Sequence, residues 1–157
     1  MSWSVFETFL GVPLHPLVIH AAVVLIPLLI AGVLAYAFVP RLRSRLDWAV
    51  VALAVVAPLS ALAAKITGDA FRARQVRRNT ARGEILAKID HHRLLGTWTL
   101  YVTIALGVVA LALVLLRRRP VALSALLVVA ALGLSVATGI LVFLAGDSAA
   151  RIVWTGY

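Results

Sequence analysis

Four long apolar stretches alternate with polar segments along the chain. The first runs from Leu17 to Val39 without a formal charge, and the second from Trp48 to Ala64. The third runs from Leu94 to Leu116 and the fourth from Val121 to Gly146, both uncharged. A helix rises about 1.5 Å per residue, so about 20 apolar residues cross the hydrocarbon core of a bilayer. The first, third and fourth stretches reach that length. The second reaches it when Lys65 snorkels to the interface and Ile66 lies at the surface. The pattern predicts one domain with four spans, at about 17–39, 48–66, 94–116 and 121–145. The Gly, Pro and β-branched residues inside these stretches do not argue against helix, because a backbone in lipid must satisfy its own hydrogen bonds. Pro27 and Pro58 are expected to kink their helices, and Pro120 suits the first turn of the fourth.

The connectors decide the topology. Residues 40–47 and 117–120 are short, arginine-rich turns, which force antiparallel neighbours. The middle connector, about 67–93, is expected to be long and carries Arg72, Arg74, Arg77, Arg78, Arg82, Lys88 and Arg93. The fold class is therefore all-α, an integral membrane antiparallel four-helix bundle. The termini and the middle connector share one side, and the two short turns share the other. No Lys or Arg precedes the first stretch, and it is too long for a signal core, so it reads as a retained helix. The density of arginine in the short turns favours that side as cytoplasmic and the termini as outside.

A shift of about 75 residues aligns the two halves. Ala31–Ala35 meets Leu106–Ala110, Ser60 and Ala64 meet Ser135 and Gly139, and His15 falls near His91. This reads as a duplicated helical hairpin, with shared composition as the competing explanation. Ser60, Ala64 and Gly68 share one helix face, and so do Ala131, Ser135 and Gly139. Such stripes let backbones approach closely in lipid, which makes helices two and four the expected inner pair.

Composition narrows the function. The 157 residues are 63% hydrophobic and only 13% charged. That excludes an ordinary cytosolic globule, a disordered tail and a disulfide scaffold. Cysteine is absent, which excludes zinc ribbons, iron–sulfur clusters and thiol chemistry. The formal charge of +9 fits loops beside anionic lipid headgroups rather than nucleic acid. No phosphate loop, Ser-His-Asp spacing or nucleic-acid motif is present. No catalytic residue is identified, and enzymatic activity stays open. Trp3, Trp48, Trp98, Trp154 and Tyr157 fit an interfacial aromatic belt.

Candidate chemistry gathers at one end. His15 and His20 flank the start of helix one, and His91 and His92 precede helix three. Asp69 and Asp147 follow helices two and four on the same face. Three readings are open. Two imidazoles on different helices could hold haem b, with His20 and either His91 or His92 as the natural pair. The histidines with Asp69 and Asp147 could instead hold a transition metal. In the third reading these side chains bond headgroups, water and loop backbone.

The segment Gly11-Val12-Pro13-Leu14-His15-Pro16-Leu17-Val18-Ile19-His20 resembles the opening of a bacterial four-helix membrane protein family, domain of unknown function 2231. Thr67-Gly68-Asp69 and His91-His92 are similar to its segments after helix two and before helix three. The family's end resembles Thr-Gly-His-x-Gly-Gly-x-x-Val-Tyr. In the corresponding stretch 145–154 the histidine is replaced by Asp147 and the paired glycines by Ala149 and Ala150, which removes a fourth-helix imidazole. Some relatives are fused to cytochrome-c-like domains, so the resemblance implies redox company on the outer face. The leading expectation is a haem- or metal-binding, redox-associated subunit of the bacterial cytoplasmic membrane, working beside a respiratory or redox partner. The alternative is a non-catalytic accessory or assembly subunit that docks a partner through the basic connector. A transporter ranks third, because the spans carry no mid-membrane charge.

Overall fold

The computed structural model describes residues 8–9, 12–116 and 120–154. Trp3, Gly11 and Tyr157, named above, and Arg117, Arg118 and Arg119 of the second short turn lie outside the described residues. A short antiparallel ribbon, β1 (Thr8–Phe9) with β2 (Val12–Pro13), pairs Thr8 with Pro13 and Phe9 with Val12. Four helices follow: α1 (Leu14–Phe38), α2 (Arg43–Arg77), α3 (Gly83–Leu115) and α4 (Val121–Trp154). All four are long and apolar enough to cross a membrane.

The middle connector differs from expectation. Of residues 67–93, only 78–82 lie outside helix. The flanks are rich in Ala, Arg, Gln, Glu, Leu and Lys, which are good helix formers, so both helices extend through the polar region. With 35 residues α2 is about 52 Å long, and with 33 residues α3 is about 50 Å. Both exceed the hydrocarbon core by roughly 20 Å, so α2 and α3 project as two helical arms. The arms end in a Schellman turn. Thr80 N–H donates to the Gln75 carbonyl at 3.1 Å and Asn79 N–H to that of Val76 at 3.0 Å. Asn79 takes the left-handed conformation at φ 60° that this turn requires. At the opposite end Arg43 closes α1, its guanidinium donating to the carbonyls of Tyr36 and Ala37 at 2.9 and 3.0 Å. The Tyr36 hydroxyl donates to Asp47 at 2.9 Å and ties α1 to α2 there.

The helices form a square. The main packed pairs are α1–α2, α2–α3, α3–α4 and α4–α1, and α2 lies diagonally across from α4. This corrects the expectation that α2 and α4 form the inner pair. Their small-residue stripes face the bundle interior rather than each other. The tightest approach is between α2 and α3: a Cβ on Gly107 would meet the Ala54 carbonyl oxygen at 2.6 Å and Pro58 Cγ at 3.3 Å. Pro58 has no N–H, so the Ala54 carbonyl loses its intrahelical donor and turns toward Gly107.

The interior is built from Ile26, Leu29, Val33, Val50, Leu106 and Leu113, all at most 2% exposed. The outer face is just as apolar, with Val129, Phe143 and Val108 exposed. A soluble protein rarely exposes apolar area on this scale, but lipid covers it without cost. The protein is thus an all-α bundle of four membrane-spanning helices packed against one another.

Candidate functional site at the histidine end

The first turn of α1, the α2 stretch from Ala64 to Phe71, the α3 stretch around His92 and the last turns of α4 meet at one end of the bundle. His15 occupies the α1–α2 seam. Its ring edge lies over Gly68, where a Cβ would come within 3.1 Å of Cε1. Its Nδ1 is 3.2 Å from Thr67 Oγ1. Phe71 stacks on it with ring centroids 6.3 Å apart. His92 occupies the equivalent place in the second hairpin. Its Nδ1 is 2.8 Å from Ser148 Oγ and 3.1 Å from the Ala145 carbonyl. The two rings meet edge to face with centroids 6.4 Å apart.

The hydrogen-bond pattern assigns the tautomers. Thr67 donates its hydroxyl proton to the carbonyls of Ala63 and Ala64, and Ser148 donates to Ala145. Each hydroxyl is therefore left to accept from its histidine. A carbonyl can only accept, so the Ala145 contact independently makes His92 Nδ1 a donor. Both rings are thus Nδ1–H tautomers, and each presents the Nε2 lone pair as an acceptor. Each hairpin carries a similar device: a histidine on its first helix donates to a hydroxyl on its second.

Ion pairs lock the surrounding arms. Asp69 accepts from Lys65 at 2.7 Å and from Arg93 at 2.5 Å, so α2 is tied to α3. Arg72 pairs with Asp90 through both carboxylate oxygens, the second bond at 2.9 Å. This forked geometry is the strong form of the pair. Glu84 with Lys88 and Asp147 with Arg151 pair within single helices. A shallow groove between the α3 start and the α4 end is lined by Glu84, Lys88, His91, Ser148, Arg151 and Ile152.

The sequence-derived candidates divide here. The fold brings His15 and His92 together. His20 is exposed, and its Nδ1 folds back to the Pro16 carbonyl at 2.6 Å. Five residues turn a helix by about 500°, so His20 points some 140° away from His15. His91 is exposed on the groove side. Asp69 and Asp147 are engaged by cations rather than by imidazoles.

These positions overturn the haem and metal readings, and with them the electron-transfer role. Among the described residues no three of His, Cys, Asp and Glu converge on a point that could hold a metal ion. The proposed pairing of His20 with His91 or His92 fails because His20 faces away from the bundle. Thr67, Ser148, Phe71 and Gly68 were missed as partners of the histidines. The Thr67-Gly68-Asp69 segment was visible, but which face it turned to His15 was not.

Residues 11–156 match a family described as predicted membrane protein, DUF2231. The chain belongs to this family. No curated protein matches the chain. No solved structure matches it either. The DUF2231 match covers all four helices, including the histidine end and both projecting arms, and the chain is a multi-pass membrane protein.

Proposed function

We propose that this DUF2231 protein is a non-catalytic accessory subunit of the bacterial cytoplasmic membrane that docks an acidic partner protein on its projecting arms. It would act as one domain, with lipid-crossing segments at about 17–39, 48–66, 94–116 and 121–145. The observation carrying this reading is the arm geometry. A segment expected to be a long connector is a helical hairpin, closed by a Schellman turn and cross-linked by Arg72–Asp90 and Arg93–Asp69. Its tip presents Arg77, Arg78 and Arg82 exposed within one turn. A preformed cationic tip loses little entropy on docking and steers anionic surfaces toward it. Anionic lipid headgroups would engage cations nearer the spans, where the arms meet the membrane.

The short turns, with arginines close to the helix ends, favour the cytoplasmic side, which puts the arms and termini outside. His15, His92 and Asp69 are the candidates that tie helices together on this face, whereas His20, His91 and Asp147 do not join helices there.

The test is photo-crosslinking from a probe amino acid at Thr80 in intact membranes. The reading expects a discrete, salt-sensitive protein adduct that is lost in the triple variant Arg77→Gln, Arg78→Gln, Arg82→Gln. An adduct insensitive to both salt and the triple variant, or lipid adducts alone, would reject it. A reporter at Thr80 and one after Trp154 check the orientation.

A further inference from the structure

The buried polar side chains are not spread evenly through the bundle. Among the described residues they are Ser60, Thr67, Thr99, Thr103, Ser135 and Thr138, all hydroxyls. All lie in the half nearest the histidines. At about 1.5 Å per residue, Ser60 lies about 10 Å below Thr67. On the same measure Thr99 and Thr103 lie about 10 and 16 Å below His92, and Thr138 and Ser135 about 15 and 20 Å below Ser148. Beyond that depth the larger buried side chains are Leu29, Val33, Val50, Leu106, Leu113 and Val114, while Ile26 and Leu100 are buried among the hydroxyls in the nearer half. Tyr36, whose hydroxyl reaches Asp47, marks the opposite interface.

The upper hydroxyls spend their protons on their own helices. Ser60 donates to Ala57, Thr99 to Leu95 and Thr138 to Leu134. Thr103 Oγ1 and Ser135 Oγ have no partner among the described residues, although they are 0% and 2% exposed. A threonine in a dry helix ordinarily bonds the carbonyl one turn back, as Thr99 does. The Ala54 carbonyl, released by Pro58 and pressed against Gly107 one turn from Thr103, lies at about the same depth. By helix rise, two hydroxyls without partners and one carbonyl without its usual helical donor therefore lie at about one level near the middle of the spans. A dry interior would pay the desolvation of all three.

We propose that the histidine-end half of the bundle interior is a blind, hydrated pocket. Water enters beside the His15–His92 pair, follows the hydroxyl column, and ends at a water site formed by Thr103, Ser135 and the Ala54 carbonyl. The apolar plug of Leu29, Val33, Val50 and Leu113 stops it there and seals the membrane. The two Nε2 lone pairs at the mouth accept hydrogen bonds from the entering water. A buried water needs two to four polar partners, and this level supplies three.

The decisive experiment is water-edited solid-state NMR on the unsubstituted protein in phosphatidylcholine–phosphatidylglycerol vesicles. Magnetisation is transferred from water protons, and its build-up is followed at assigned side chains. The pocket predicts build-up at Thr103 and Ser135 close to that at Thr67 and several-fold faster than at Leu113. Build-up at Thr103 and Ser135 as slow as at Leu113 overturns the proposal. Entry is tested with single-cysteine variants, since the chain has no cysteine of its own. Ser135→Cys is expected to react with methyl methanethiosulfonate added on the histidine side much faster than Leu113→Cys does. Equal rates for the two variants, fast or slow, count against a path that ends at Ser135.

Discussion

Gly107→Ala tests the packing that sets the α2–α3 distance. The added Cβ would sit 2.6 Å from the Ala54 carbonyl oxygen and 3.3 Å from Pro58 Cγ, and the oxygen contact must lengthen beyond 3.0 Å. Both neighbours are rigid: one is backbone and the other is a proline ring. The helices must therefore separate locally, which disturbs the seating of Leu106 and Ala110, both 0% exposed. Overpacking of this kind costs about 1–3 kcal/mol. A helical Gly→Ala exchange also gains about 0.8–1 kcal/mol in propensity. Gly133→Ala shares that gain, but nothing lies within 4 Å of its Cβ, so the difference between the two variants isolates the clash. In reversible unfolding by denaturing detergent from mild micelles, Gly107→Ala should be less stable than Gly133→Ala by about 1–3 kcal/mol. Equal stability of the two variants would refute the close crossing at Ala54.

Other perturbations probe the histidine end and the two turns. Gly68→Ala places a methyl 3.1 Å from His15 Cε1. It should push the ring off Thr67 and shift the His15 and His92 ring resonances together, while Gly96→Ala, with open space around it, leaves them in place. Asn79→Ala puts a Cβ-bearing residue with no compensating side-chain amide at φ 60°. It should cost about 1 kcal/mol and raise protease cleavage near residues 78–82, whereas Asn79→Gly should be tolerated. Tyr36→Phe removes the 2.9 Å donor to Asp47. It should lower unfolding stability by roughly 1.5 kcal/mol, the low end for a bond to a charged group because Asp47 is partly exposed.

The fold was legible because lipid makes its demands on composition. Residues 17–39, 94–116 and 121–145 could be read as spans without knowing a single contact. The short arginine turns then left antiparallel neighbours as the only connection. The arms were not legible, because segment 67–93 was judged by its charge and length. Its helix-forming residues, and the closing signal at Asn79, carry information that charge counting ignores. The diagonal placement of α2 and α4 was hidden for another reason. A small-residue stripe says that something approaches closely, but not which neighbour does. At the candidate site, placement at one end of the bundle was legible, and azimuth was the missing quantity. His15 and His20 are close in sequence yet point about 140° apart, and of the adjacent His91 and His92 only His92 turns inward. His15–Thr67 and His92–Ser148 are similar contacts, but their offsets of 92 − 15 = 77 and 148 − 67 = 81 residues differ from each other and from the shift of about 75 that aligns the halves.

The central claim is that two hairpins bring His15 and His92, and not His20 and His91, to a common seam. Its most direct measurement is bifunctional thiol cross-linking of paired cysteines in native membranes, which the cysteine-free chain permits without background. The double variant His15→Cys, His92→Cys should be joined within one chain by a short bis-methanethiosulfonate reagent and yield a faster-migrating monomer, and His20→Cys, His91→Cys should not. Cross-linking of the second pair with none in the first would contradict the account.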